Sequence, residues 1–313
     1  MMSEDSETAN SHKMQWYFIG LVDALGQSRE LVEWSTAMWA TRSARVDCDR
    51  EFSAFAQVRL LRDVLWQMRK RFMEEIEKSP GCSLSDERFE IQQFSDTVLF
   101  YSPVVNDKDE LLLTHAYGIL GALAKTMLIA LSRSIPLRGS IELGYARELF
   151  HPAHPGETYL ADIYGPGVAR AYRLETEVAQ LMRIVVGERL VEILRDAATD
   201  AKGLQVFQFE QANAEDCLSL LARDKKGVTY VDFAGKKVRE ILASAPLYDG
   251  MNGRDLIVRG LRFAASGKAK WYAEGDAKLG SRYAALVDYY RERVEYWGID
   301  PEDLDLPGVG EST

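Results

Sequence analysis

Two acids stand where the chain changes direction. Asp23 closes the apolar run Tyr17-Phe-Ile-Gly-Leu-Val-Asp23, and Ala24-Leu-Gly26 then leads into a long helical pattern. Asp96 sits beside Ser95 between two β-rich runs, residues 88–94 and 97–101, which read as a tight hairpin with the acid at its tip. A carboxylate at a strand exit supplies a hard oxygen ligand, and the N–H groups of the following turn can meet phosphate oxygens. If the two strands are neighbours, the carboxylates converge beside Gly26. Paired acids of this kind hold Mg²⁺ or Mn²⁺ on a nucleoside triphosphate while an attacking oxygen is activated. The same residue types also serve as ordinary turn and helix-cap acids, and each acid taken singly fits that use equally well.

The remaining metal-binding residue types show no comparable pattern. His12, His115, His151 and His154 lack ligand spacing, so an all-oxygen site for a hard ion is expected rather than zinc. His151 and His154 fall in a proline-rich stretch, residues 151–156, that reads as a solvated loop. Cys48, Cys82 and Cys217 form neither a CxxC nor an even framework, which points to a reducing, cytoplasmic setting and to buried thiols acting as small hydrophobes.

The elements that must position the acids follow from patterning. The chain has 313 residues, 47% hydrophobic and 27% charged, enough for a large core. A net charge of −10 argues against nucleic acid or an anionic membrane as partner. Residues 1–14 read as a disordered polar tail. Residues 28–78 read as helix, with Phe52, Phe55, Leu61, Leu65, Met68 and Phe72 as an apolar stripe. Residues 111–131 tempt a membrane reading, but His115 and Lys125 interrupt them, and a buried helix is expected. Strands are expected at 136–144, 158–163, 184–186, 204–210 and 228–233. Helices are expected from Gly165-Pro-Gly167 onward, at 189–197, and through most of the chain beyond residue 235. The last of these carries Tyr283, Leu286, Val287, Tyr290, Val294 and Trp297 on one face and stops at Gly298. The order is that of an α+β fold, a mainly antiparallel sheet with helices over one face.

Four segments in series resemble the catalytic domain of class III nucleotide cyclases. They are Leu21-Val-Asp-Ala-Leu-Gly26, Phe94-Ser-Asp-Thr97, Leu137-Arg-Gly-Ser-Ile-Glu-Leu-Gly144 and Asp162-Ile-Tyr-Gly-Pro-Gly-Val-Ala-Arg-Ala-Tyr-Arg-Leu-Glu175. Together with Arg183-Ile-Val-Val186 and Tyr230-Val-Asp-Phe233, they look most like the bacterial pyrimidine cyclases of the Pycsar anti-phage systems. The resemblance implies a catalytic domain over residues 15–240, followed by a helical C-terminal extension, 241–313. It also implies conversion of UTP, or CTP, to a cyclic nucleotide and pyrophosphate. The product would reach a separately encoded effector.

Carried over by position, the resemblance makes Asp23, Asp96 and the Ala24 carbonyl the ligands of a two-ion Mn²⁺ or Mg²⁺ site. Leu25 and Gly26 would offer amides to the phosphates, Gln92 and Asp162 would contact the base, and Arg173 would be the catalytic arginine. A homodimer with shared active sites is implied, the metal acids of one subunit facing the arginine of the other. The chain departs from purine cyclases at two places. Ala169 stands where they carry Asn, with Arg170 and Tyr172 nearby as replacements for the ribose contact. Gln92 stands where adenylyl cyclases carry Lys; an amide both donates and accepts, which fits a pyrimidine edge. The alternatives are a purine cyclase, or an inactive nucleotide-binding domain, against which retention of both acids and Arg173 argues; for Arg173 alone the plain alternative is a surface pair with Glu177. On the 137–144 strand, Arg138, Ser140 and Glu142 share one face, and Arg138 and Glu142 are expected to pair or to border the nucleotide.

Overall fold

The computed structural model describes residues 14–25, 70, 89–94, 97–106, 110–151, 160–180, 182–199, 208–244, 251–300 and 304. The helical pattern at 28–78 and the tail at 1–13 lie outside the described residues, Lys70 excepted, as do Gly26 and Asp96.

The fold is α+β, and β1, Gln15–Ala24, runs through its centre. Antiparallel neighbours flank it: β3, Thr97–Pro103, on one side and β4, Leu137–His151, on the other. β2, Glu90–Phe94, extends the sheet beyond β3. Beyond β4 come β6, Ile184–Val186, in parallel, and then an antiparallel pair, β8, Thr229–Val231, and β7, Leu221–Arg223. β4 is longer than its sequence signal. Its first part pairs with β1, and from Arg147 onward it pairs with β5, Leu160–Tyr164, so His151 ends a strand instead of opening a loop.

Helices cover both faces of the sheet, not one. The reason is visible in β1, whose alternate residues are apolar in both directions. Phe18, Val22 and Ala24 join the larger core with α1, Leu113–Ser132. Tyr17, Ile19 and Leu21 face the opposite way and pack with Leu99, Tyr101, Ile163 and Ala171. Asp23 continues that second face. The helix covering it is α2, Pro166–Arg173, which opens with Pro at its first turn and passes into a π-helical turn, Leu174–Val178.

Glycine permits this approach. A Cβ on Gly144 would stand 2.4 Å from the Cα of Gly167, backbone against backbone, and Gly165 turns into the helix at φ +143°, a conformation open to glycine. Gly144→Ala should therefore push α2 off the sheet and cost about 1–3 kcal/mol, read as a lowered urea midpoint.

α1 is the one helix among the described residues long and apolar enough to cross a membrane, and its apolar stretch is wholly buried within the fold. The core-helix expectation for 111–131 holds. Its N-terminus has no side-chain cap of its own. Glu210, on α4 (Gln208–Ser219), supplies one by accepting from the Thr114 backbone N–H at 2.9 Å and from the Thr114 hydroxyl at 3.1 Å. The strand expected at 204–210 is thus helical from Gln208. Glu210, Asn213, Ala214 and Cys217 are buried at helical spacing, and burial drives the Cys217 thiol up, leaving it an inert hydrophobe. β7 was not anticipated; three residues of intermediate or greater exposure leave no alternation to read.

His115, on α1, is buried, with Nδ1 at 2.8 Å from Ser102 Oγ and 3.3 Å from Pro103 O. Burial lowers its pKa from 6.5 to about 4, so the folded chain keeps it neutral where the unfolded chain would protonate it. Stability from this group is present above pH 6.5 and is lost as pH falls towards 4, on the order of 3 kcal/mol in full. Burial raises Glu142, Glu175 and Glu210, which work in the opposite direction. The comparison that isolates His115 is with His115→Gln, which should gain stability relative to the parent between pH 7 and pH 5 in urea titrations.

The remaining helices are α3, Glu188–Thr199; α5, Lys236–Ser244; α6, Gly253–Ala273; and α7, Ala277–Arg291. Asn252 and Asp276 cap α6 and α7 through the amides of Asp255 and Leu279. Residue 240 lies inside α5, and Leu256, Leu261, Leu286 and Tyr290 belong to the same core as α1 and β1. Val294 and Trp297 lie on a 3₁₀ turn after α7, ended by Gly298 at φ +63°. This end is tied down by Arg293. The guanidinium stacks 3.9 Å over Tyr289, pairs with Asp232 and reaches Tyr230 at 3.2 Å, while Trp297 donates to Ala234 O at 2.9 Å. The Tyr230-Val-Asp-Phe233 segment is therefore the anchor of the C-terminal helices.

Candidate active site

The antiparallel register sets Asp23 opposite Thr97 on one side and opposite Arg138 on the other. All three side chains meet on the α2 face. Thr97 Oγ1 donates to Asp23 Oδ1 at 2.8 Å, and Arg138 Nη2 donates to Asp23 Oδ2 at 3.2 Å. Arg138 Nε also forms an ion pair with Glu175, from the π-helical turn. Glu175 is buried, which raises its pKa; Arg138 pulls it down and Asp23 raises it further.

Part of the condition set by the sequence is met: β1, which carries Asp23, and β3, which starts at the residue after Asp96, are antiparallel neighbours. Asp96 lies outside the described residues, but its chain neighbour Thr97 touches Asp23. Ala24 is buried opposite Leu137. The Leu25 amide does not face an anion; it donates to Pro136 O at 2.8 Å, extending the β1–β4 ladder by one bond.

Beside this cluster is an open cleft of about 660 Å³. Leu21, Leu99 and Val168 form apolar wall, and Gln92, Thr97 and Asp162 supply polar groups. Gln92 reaches it because its register partner Leu99 lies on the α2 face, and Asp162 reaches it from β5. Two residues distant in sequence, both expected to contact a base, thus line one cleft. Ala169 and the 60% exposed Tyr172 complete its rim.

Arg173 is placed differently. It does not line the cleft, and its side chain is 72% exposed with Nε 3.5 Å from Glu177 Oε1, the surface pair that spacing allows. Arg170 does not face the cleft as a ribose contact either; it turns to the buried Glu142 at 3.3 Å. Arg138 and Glu142 accordingly take different partners. Four residues along a strand span about 13 Å, too far for a direct pair. Ser140, between them, donates to Ala171 O at 2.7 Å and fastens α2 to β4.

Nothing in the sequence pattern alone specifies the Asp23–Arg138–Glu175 bridge. An arginine on a strand with apolar residues on both sides calls for a carboxylate, and that was the available signal; which carboxylate depends on register. For a hard divalent ion, the described residues offer the Asp23 carboxylate and the Ala24 carbonyl, and no group of three or more His, Cys, Asp or Glu occurs among them. Oxygen donors of this kind, on a carboxylate that already attracts a cationic side chain, fit an ion that retains several waters.

No family model matches this chain, and no curated protein matches it. Among solved structures the chain is similar to the adenylyl cyclase CyaB from P. aeruginosa at 17% identity and a TM-score of 0.39, over 59% of this chain and 82% of that one. It is also similar to the guanylyl cyclase Cya2, at 10% identity and a TM-score of 0.38 over 57% and 78% of the two chains. A bacterial light-regulated adenylyl cyclase is a third, at 13% identity and a TM-score of 0.34 over 74% and 99%.

Proposed function

We propose that this chain is a metal-dependent nucleotide cyclase that closes a pyrimidine nucleoside triphosphate, UTP in preference to CTP, to the 3′,5′-cyclic nucleotide and pyrophosphate. The observation that supports this best is the register of Asp23 with Thr97. It brings the strand exit bearing one acid against the residue that follows the other, at the edge of a cleft lined by Gln92 and Asp162.

In this reading Asp23, the Ala24 carbonyl and Asp96 hold Mn²⁺ or Mg²⁺, which when bound supplies Lewis-acid charge at the reacting phosphate. Thr97 fixes the orientation of the Asp23 carboxylate by donating to Oδ1. Gln92, able to donate and accept, and Asp162 read the base edge. The cleft walls Leu21, Leu99 and Val168 exclude water from one side of the base. The ribose 3′-hydroxyl gives its proton to water as its oxygen attacks the α-phosphorus, the bond to the bridging oxygen breaks, and pyrophosphate leaves with the electron pair. Charge gathers on the α-phosphate oxygens as this happens, and Arg173 of the partner subunit offsets it. An exposed Arg173, outside its own subunit's cleft, suits a residue that acts across a twofold interface. The enzyme would be a cytoplasmic homodimer whose product signals to a separately encoded effector in anti-phage defence.

The deciding experiment is incubation with each of the four ribonucleoside triphosphates and Mn²⁺, with products read by mass spectrometry. Cyclic UMP, or else cyclic CMP, is the expected product. A cyclic purine would overturn the base assignment, and no product from a folded dimer would overturn the enzyme reading.

A further inference from the structure

Arg138 lies between two carboxylates from distant parts of the chain. Nη2 is 3.2 Å from Asp23 Oδ2, and Nε pairs with Glu175 Oε1. The two acids differ in exposure: 5% of the Glu175 side chain is accessible against 18% of Asp23. Glu175 is set in the π-helical turn that directly follows Arg173, and a turn of this kind re-aims side chains relative to the preceding helix. The turn is held from both ends, by the Ser140 bond to Ala171 O and by the Ala179 amide on Leu174 O at 2.9 Å.

We propose that Glu175 is a positioning residue for cation binding at Asp23. It retains Arg138, so that the guanidinium can leave Asp23 Oδ2 without losing its counter-charge, opening Asp23 to a divalent ion. This rests on the metal reading above.

An ion that takes the place of Arg138 Nη2 on Asp23 Oδ2 displaces the arginine. With Glu175 present, the displaced guanidinium keeps a carboxylate partner. Without Glu175, displacement strands Arg138, and the ion's apparent affinity falls by whatever that stranding costs. Burial sets the direction of the exchange. Glu175, nearly out of reach of water, cannot spare its cation, whereas Asp23 is partly hydrated and can change one positive partner for another. The same logic makes Arg138 a competitor of the ion in the absence of substrate, one that Glu175 keeps weak.

The test is the dissociation constant of Mn²⁺ alone, read from the free-ion resonance signal, with melting curves to verify folding. Asp23→Asn should abolish the tight site in the parent chain. Glu175→Gln should weaken Mn²⁺ binding about tenfold. Arg138→Met should tighten it, and adding Arg138→Met to Glu175→Gln should return the affinity at least to the parent level, which a merely structural role of Glu175 would not do. Parent-like Mn²⁺ binding in folded Glu175→Gln, or no recovery in the double variant, overturns the proposal. If Glu175→Gln does not fold, Arg138→Met alone decides: tighter binding upholds the proposal and unchanged binding overturns it. A parent chain without Asp23-dependent Mn²⁺ binding overturns this proposal and the metal reading together. Asp23-dependent binding that ignores both Glu175 and Arg138 overturns this proposal and leaves the metal reading standing.

Discussion

Asp23→Ala should reduce cyclase turnover roughly a thousandfold or more while the protein still folds. The loss in rate follows from removing a ligand that positions charge at the reacting phosphate. The tolerance of the fold follows from the partners Asp23 leaves behind. Arg138 retains Glu175, so no buried cation is stranded, and Thr97 keeps a hydroxyl that is only partly buried and can turn to water. A side chain with 18% accessibility contributes little apolar burial of its own. Turnover under saturating Mn²⁺ and the urea midpoint should therefore part company, activity collapsing while the midpoint moves by no more than about 1 kcal/mol. A collapse of both together would make Asp23 a structural residue and would take the metal reading with it.

Arg173→Ala is the second large effect. Its surface pair with Glu177, at 3.5 Å and with both side chains well exposed, is of a kind that contributes only a few tenths of a kcal/mol. Stability should be unchanged. Turnover should fall about a hundredfold to a thousandfold with a smaller change in KM, because the contact strengthens as charge develops. The shared-site geometry adds a sharper result. Asp23→Ala and Arg173→Ala chains, each nearly inactive, should regain activity when mixed, since one of the two sites in a mixed dimer combines an intact acid with an intact arginine. Absence of recovery in a verified mixed dimer would mean that Arg173 acts within its own chain or does not act.

Much of what positions these residues could be read from the chain alone, and the limits of that reading are physical. The type and order of the longer elements followed from periodicity, because a pattern such as Tyr17 to Ala24 or Leu113 to Ser132 buries too much apolar surface to be anything other than a central strand or a core helix. The glycine-marked entry to α2 was legible for a similar reason: Gly165 adopts a backbone angle that other residues avoid, and Gly144 and Gly167 lie too close for a Cβ. The hairpin leading to Thr97 was legible from turn chemistry. Short or tertiary-dependent pieces were not. β7 has three residues and little burial, and Gln208–Glu210 reads as strand until Glu210 is seen capping a helix that begins 97 residues earlier at Leu113.

Residue identity determined that Asp23, Gln92, Asp162 and Arg138 were chemically equipped, since charge and donor–acceptor capacity belong to a side chain wherever it lies. It could not determine partners. A shared strand face leaves Arg138 and Glu142 either to pair or to border the nucleotide; strand geometry holds the two apart, register delivers Arg138 to Asp23, and the turn after α2 delivers Glu175. Gln92 and Asp162 share a cleft because β2 and β5, on opposite sides of β1, both present them to the face that α2 covers. Sequence spacing encodes which face of its own element a residue occupies. Which faces meet is decided by register and packing, through contacts between residues tens of positions apart that periodicity does not reach.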